Sequence, residues 1–150
     1  MIRKAYVDDI KDIQELINFY AKKDQMLPRS LNELYENIRD FFVYEKNGKL
    51  LGCVALHIAW EDLAEIKSLA VAESEQKKTI GTLLVKAVFE DAKKLRVMRM
   101  FALTYVPSFF EKFGFKKVKH SELPHKIWSE CIKCIKFPDC EETALVIEIQ

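Results

Sequence analysis

The chain has 150 residues, 49% of them apolar, with 24 Lys plus Arg against 23 Asp plus Glu and a formal net charge of +1. That length and apolar share suit one continuous core and exclude a disordered chain, while the balanced charge excludes a global field that would draw it to nucleic acid or an anionic membrane. No apolar run approaches the roughly 18 residues of a membrane span, since the longest, Leu50 to Trp60, contains His57.

Met1 to Asp9 has no hydrophobic leader and passes directly from strand to helix cap, so a cytoplasmic protein is expected. No stretch has linker composition and no repeat is present, so residues 1–150 are expected to form a single domain. Ile2 to Tyr6 reads as a short strand. Asp8 or Asp9 then caps a helix whose apolar face is Ile10, Ile13, Leu16, Ile17 and Tyr20. Ser30-Leu31-Asn32-Glu33 has the capping-box form and opens a second helix, with Leu31, Leu34, Tyr35 and Ile38 as its buried stripe and an end near Arg39. Phe41 to Lys46 and Lys49 to Ile58 are β-rich runs joined by Asn47-Gly48, a pair that tolerates the positive φ of a tight hairpin turn. Leu63 to Val71 alternates Leu63, Glu65, Lys67, Leu69 and Val71 against Ala64, Ile66, Ser68 and Ala70, and pairs with its predecessor through Trp60-Glu61-Asp62.

From Lys78 to Leu95 the stripe Ile80, Leu83, Leu84, Ala87, Val88, Ala92 and Leu95 predicts a long amphipathic helix. Met98 to Leu103 reads as a buried strand, Pro107 to Phe113 as a short helix stopped by Gly114, and Thr143 to Ile149 as a closing strand. Strands alternate with helices only in the middle of the chain, which points to an α/β fold with a mixed sheet.

The chemistry is expected where Leu63–Val71 runs through a polar loop into the long helix. Backbone amides and the positive dipole end at a helix start make an anion site that suits phosphate, although an ordinary β–α connection looks the same. Three segments then occur in order: Ile66-Lys67-Ser68-Leu69-Ala70-Val71, Gln76-Lys77-Lys78-Thr79-Ile80-Gly81-Thr82, and Phe109-Phe110-Glu111-Lys112-Phe113-Gly114-Phe115. Together they resemble the GNAT superfamily of acetyl-CoA-dependent N-acetyltransferases, whose loop reads Gln/Arg-x-x-Gly-x-Gly/Ala. Gln76 and Gly81 match its ends, and Thr79 stands where the first Gly is usual. The likeness extends to the short bacterial N-acetylglutamate synthases through Met26-Leu27-Pro28-Arg29-Ser30, Ala64-Glu65-Ile66-Lys67, Leu103-Thr104-Tyr105 and Leu123-Pro124-His125-Lys126.

The resemblance implies a central mixed sheet of six or seven strands flanked by helices, with CoA in a V-shaped opening between two parallel strands. It implies acetyl-CoA contacts at Leu69, Ala70, Val71, Gln76, Lys77, Lys78, Thr79, Ile80, Gly81, Thr82 and Phe109. Glu65 becomes the general base, with Glu61 in reserve. A hydroxyl must protonate the departing thiolate, and the Tyr frequent in the superfamily is replaced here by Phe110, which leaves Thr104 and Tyr105 as equal candidates. The acceptor is expected to be a small amino acid, most simply L-glutamate, as in the first step of arginine biosynthesis. Arg29 and Lys126 would read its two carboxylates, with Lys67 and Ser68 as further contacts, and Arg29 alternatively pairs with Glu33. Another amine (glutamine, aspartate or a peptide N-terminus) and an acyl-CoA-binding module without turnover are the competing readings, and a homodimer remains open.

A covalent route is set aside, because Cys53 reads as a small core residue and His57 has no Cys or Ser partner in sequence. His120 is expected to face solvent. Cys131, Cys134 and Cys140 with His125 contain ligands enough for one tetrahedral zinc, yet lack the second close pair of strong zinc motifs. Reduced thiols packing a small lobe, with no metal, are the expectation.

Overall fold

The computed structural model describes residues 1–76, 79–123 and 142–149. Strand β1 spans Ile2–Lys4, and a single 3₁₀ turn over Val7–Asp9 leads into helix α1, Ile10–Ala21. Asp9 does not cap α1 through its side chain, as the sequence suggested. Its carboxylate instead accepts from the Tyr6 N–H at 2.7 Å and pairs with Arg3 at 2.8 Å, which ties β1 to the turn. The Arg3 guanidinium holds the Asp9 carboxyl below its ordinary range. Ile10, Ile13 and Ile17 recur on one face of α1 and are fully buried, each contributing about 1.5–3 kcal/mol of transfer free energy.

Helix α2, Leu31–Glu36, is capped as its sequence foretells, with the Ser30 hydroxyl accepting from the Glu33 N–H at 3.1 Å. Only Leu34 of the expected stripe is buried. Leu31 and Tyr35 are exposed, because a helix of barely two turns presents one residue per turn to the core, and the chain leaves it for a 3₁₀ turn at Ile38–Asp40. The β2–β3 hairpin, Phe41–Lys46 and Lys49–Trp60, turns at Asn47 (φ 55°) and Gly48 (φ 75°), as the dipeptide demands.

Strand β4, Leu63–Val71, departs from strict alternation. Ala55 pairs with Lys67 but Cys53 pairs with Ala70, so Ser68 bulges out at φ 56°, and the side-chain order flips across it. Before the bulge Ala64 and Ile66 face α3; after it Leu69 and Val71 do, while Ala70 turns to the α1 side. Helix α3, Ile80–Lys94, seats Ile80, Leu84, Val85, Val88 and Ala92 on the sheet. Leu83 and Leu95, expected in the stripe, are exposed: Leu83 falls on the far side of the 80/84/88/92 row, and Leu95 lies past the last turn.

Strand β5, Arg99–Thr104, helix α4, Pro107–Glu111, and strands β6, Lys116–Val118, and β7, Thr143–Glu148, complete a seven-stranded sheet in the order β1-β2-β3-β4-β5-β7-β6. All neighbours are antiparallel except β4 and β5. Helices α1 and α2 cover one face and α3 and α4 the other, which is the mixed α/β architecture expected. Among the described residues no helix is long and apolar enough to cross a membrane.

Candidate active site at the fork of β4 and β5

The two parallel strands pair only over Leu63↔Arg99, Ala64↔Met100 and Glu65↔Phe101. Beyond that point β4 stays with β3 as far as Gly52↔Val71, and β5 stays with β7 as far as Thr104↔Thr143, so the central strands part into a fork. Glu65 is the last β4 residue before it. The Ser68 bulge turns β4 away from β5, and the strand edge that faces the fork offers backbone groups for an extended amide-bearing ligand.

A cleft of about 730 Å³ opens at the fork. Seven residues singled out from the sequence line it together: Arg29, Glu65, Lys67, Ser68, Leu69, Thr104 and Tyr105. Glu65 is 8% exposed and lines this cleft. The Ser68 hydroxyl is buried on the cleft wall without a hydrogen-bond partner among the described residues. Arg29 lines the cleft and sits 3.4 Å from the Glu33 carboxylate, the alternative pairing that the sequence allowed. Thr104 accepts from the Val106 N–H at 3.0 Å, so its hydroxyl oxygen closes the turn between β5 and α4. Phe110 is a buried residue with its edge on the cleft.

Of the remaining cofactor candidates, Val71, Ile80, Gly81 and Phe109 come together on the α3 side, whereas Ala70 packs into the core on the α1 side. Gly81 lies in the first turn of α3, where helical N–H groups have no intrahelical acceptor. A Cβ there would meet Phe109 at 3.4 Å and Val71 at 3.9 Å, so Val71, Gly81 and Phe109 form one small cradle. Thr79 and Thr82 flank it with their hydroxyls, whereas the Ile80 side chain is buried in the core and offers a ligand only its backbone. Gln76 uses its side-chain amide inside the protein, donating to the Tyr20 hydroxyl at 2.6 Å and to the Val71 carbonyl at 3.4 Å. Tyr20 in turn donates to the Val71 carbonyl, tying α1 to the end of β4. Burial, the largest influence, pushes the Tyr20 phenol upward, so it stays a donor at neutral pH. Lys77, Lys78, Lys126, His125, Cys131, Cys134 and Cys140 lie outside the described residues.

Sequence reasoning weighed His57 only as a partner for Cys53 and did not single out Asp40. The His57 Nδ1 lies 2.7 Å from the Asp40 carboxylate, both residues line the cleft, and His57 stands directly opposite Glu65 in the β3–β4 ladder. Cys53 behaves as expected of a core residue: its thiol is fully buried, donates to the Ser68 carbonyl at 3.4 Å, and is pushed up by burial to about 12. It cannot serve as a nucleophile. His120, expected to face solvent, is part-buried, with its Nε2 2.8 Å from the Glu142 carbonyl.

The sequence of residues 7–115 matches the model of the acetyltransferase (GNAT) family. The chain belongs to that family. Its sequence is 38% identical over 145 residues to an N-acetyltransferase of Chlorobaculum tepidum, covering 97% of this chain and 94% of that one. It is 33% identical over 133 residues to an amino-acid acetyltransferase of Mycobacterium tuberculosis, covering 87% and 76%. The fold superposes with a TM-score of 0.91 and 29% identity on an N-acetylglutamate synthase of Neisseria gonorrhoeae complexed with coenzyme A and N-acetyl-glutamate, covering all of this chain and 35% of that one. As a GNAT member the protein is an acetyl-CoA-dependent N-acetyltransferase. Its residues fit the cosubstrate: the first turn of α3 at Gly81 presents N–H groups without intrahelical acceptors, which suit phosphates, and the fork leaves a strand edge for the amide-bearing arm.

Proposed function

We propose that this GNAT enzyme acetylates the α-amine of an amino acid, with L-glutamate as the first substrate to test. The observation that carries this reading is the composition of the cleft: one shielded carboxylate, Glu65, at the fork, with Arg29 and Lys67 on the same walls. An amino acid presents an ammonium and a carboxylate a few bonds apart, so its site needs an anion for the first and a cation for the second. A dicarboxylic amino acid needs two cations. The relatives named for amino-acid acetylation and N-acetylglutamate synthesis support this choice.

Acetyl-CoA supplies an activated thioester. This chain's residues do the rest. Glu65 accepts a proton from the ammonium, which is not nucleophilic until it is deprotonated. Arg29 holds the α-carboxylate through its planar guanidinium, and Lys67 or Ser68 meets the side-chain group. Backbone groups along Ile66 to Val71 and the first turn of α3 orient the cosubstrate. Of the two hydroxyl candidates, Tyr105 is assigned the proton donor to the leaving thiolate. A phenol, with an ordinary pKa near 10, is a far stronger acid than the Thr104 alcohol.

Release of CoA thiol from acetyl-CoA, followed over a panel of amino acids, tests the reading. L-glutamate is expected to give the highest kcat/KM. Release with peptide N-termini or polyamines but no free amino acid would reassign the acceptor, and acetyl-CoA binding without release under saturating amino acid would make the protein a binding module.

A further inference from the structure

The geometry points to a proton exit route in which His57, oriented by Asp40, carries the proton from Glu65 out of the cleft. The inference rests on the acetyl-transfer reading above and adds two positioning residues to it.

The need for such a route follows from the balance of the reaction. An ammonium and a thioester become an amide, a thiol and one free proton. The nitrogen gives up two protons as its new bond to the acetyl carbon forms and the carbon–sulfur bond breaks. One ends on the thiolate, and the other must reach solvent before Glu65 can act again. Glu65 is 8% exposed, set at the closed end of the fork, so it cannot shed that proton freely to bulk water.

His57 is placed to take it. In the antiparallel β3–β4 ladder, His57 and Glu65 are direct partners, which puts their Cβ atoms about 4.5–5.5 Å apart on one face. The cleft is that face, since both residues line it. The His57 side chain keeps 31% of its surface exposed, so it links the shielded carboxylate to the open part of the cleft. Asp40, in the 3₁₀ turn before β2, accepts from Nδ1 at 2.7 Å. That bond fixes the ring and the tautomer and makes Nε2 the basic nitrogen, and the carboxylate stabilises the imidazolium formed when the proton arrives. Among ordinary side chains only imidazole both gains and loses a proton readily near neutral pH, so the position opposite the base is occupied by the residue type suited to relay.

The test begins with wild-type enzyme and acetyl-CoA plus the best amino acid found by thiol release. Absence of turnover with every amine would overturn the transferase reading itself, and the relay with it. With turnover established, His57→Gln is expected to lower kcat by a factor on the order of 10 to 10², to leave the KM for acetyl-CoA unchanged, and to regain activity in a saturable manner with added imidazole. A purely structural role would show as lost thermal stability with no response to imidazole. Asp40→Asn, which keeps the side-chain shape, is expected to give a smaller loss of kcat and a larger solvent deuterium isotope effect than wild type. It also carries the test should His57→Gln not fold. Wild-type kcat in His57→Gln, a loss that imidazole does not touch, or an unchanged isotope effect in Asp40→Asn would overturn the relay while leaving the transferase intact.

Discussion

The two sides of the fork are built from different materials. Behind it, the proposed cosubstrate side is mostly backbone: a strand edge beside the Ser68 bulge, the first turn of α3, and a cradle whose floor is Gly81 against Phe109. In front of it, the proposed acceptor side is made of charged and titratable side chains, Arg29, Glu65, Lys67, His57 and Asp40, drawn from four separate segments. Backbone recognition reads a group that every acetyl-CoA shares and tolerates sequence change so long as the path of the chain persists. Side-chain recognition decides which amine enters and what happens to its proton, and a single substitution can remove it.

That contrast can be broken most sharply at Glu65. Glu65→Gln is expected to fold and bind acetyl-CoA as wild type does while kcat drops by a factor on the order of 10² to 10⁴ at neutral pH, the span seen for loss of a general base. Steady-state kinetics with isothermal titration of acetyl-CoA would check both halves, and an unchanged kcat at saturating substrate would remove Glu65 from the chemistry. Arg29→Ala comes next. Losing a charge-assisted hydrogen bond to the α-carboxylate should raise the KM of every α-amino acid by about tenfold to hundredfold and leave that of acetyl-CoA alone. Because Arg29 also sits near Glu33, a thermal melt belongs beside the kinetics, and a fall in stability without a KM effect would make the ion pair its whole purpose.

The backbone side should respond with the opposite signature. Gly81→Ala places its methyl 3.4 Å from Phe109, an ordinary contact, and gains about 0.5–1 kcal/mol of helix propensity, so stability should hold or rise. Gly81→Leu has no such room and is expected to raise the acetyl-CoA KM roughly tenfold, with the amino-acid KM nearly constant, as overpacking displaces the cradle by about 1–3 kcal/mol. Equal effects on both substrates would argue against the loop assignment. The smallest effect is expected at Tyr20→Phe, which removes the hydroxyl linking Gln76 and the Val71 carbonyl. A rise of about two- to fivefold in the acetyl-CoA KM follows from loss of roughly 0.5–1 kcal/mol of hydrogen bonding, and an altered amino-acid KM instead would place this link on the wrong side of the fork.

Much of the cosubstrate side was legible along the chain because its parts are contiguous. A strand, a loop with Gln76 and Gly81, and an amphipathic helix follow one another without a break from Leu63 to Lys94, and local patterning is what periodicity reads. The Ser30 cap and the Asn47-Gly48 turn were legible for the same reason, as each is satisfied by atoms three or fewer residues away. Helix faces were read less well. The stripe test took in Leu31, Tyr35, Leu83 and Leu95, all exposed, because spacing reports which residues share a face and not how much of that face a neighbour covers.

The acceptor side shows what only the tertiary structure decided. The family resemblance marked Glu65, Arg29, Lys67, Thr104 and Tyr105 as chemistry-bearing, but nothing local states that they share one cleft with Asp40 and His57. Counting back from the Trp60↔Leu63 pair would set Ile58 opposite Glu65; an irregularity between Ile58 and Trp60 shifts the ladder by one and sets His57 there instead. A strand's side chains alternate with a period of two, so a one-residue slip exchanges an apolar neighbour for an imidazole. The second irregularity, at Ser68, likewise turns β4 away from β5 and opens the fork. Amino-acid order determined the elements, the Ser30 cap and the loop proposed to meet the cosubstrate. The position of Glu65, of its neighbour His57 and of the opening between the strands was decided by register, which is set by packing across the whole sheet and is written in no single segment.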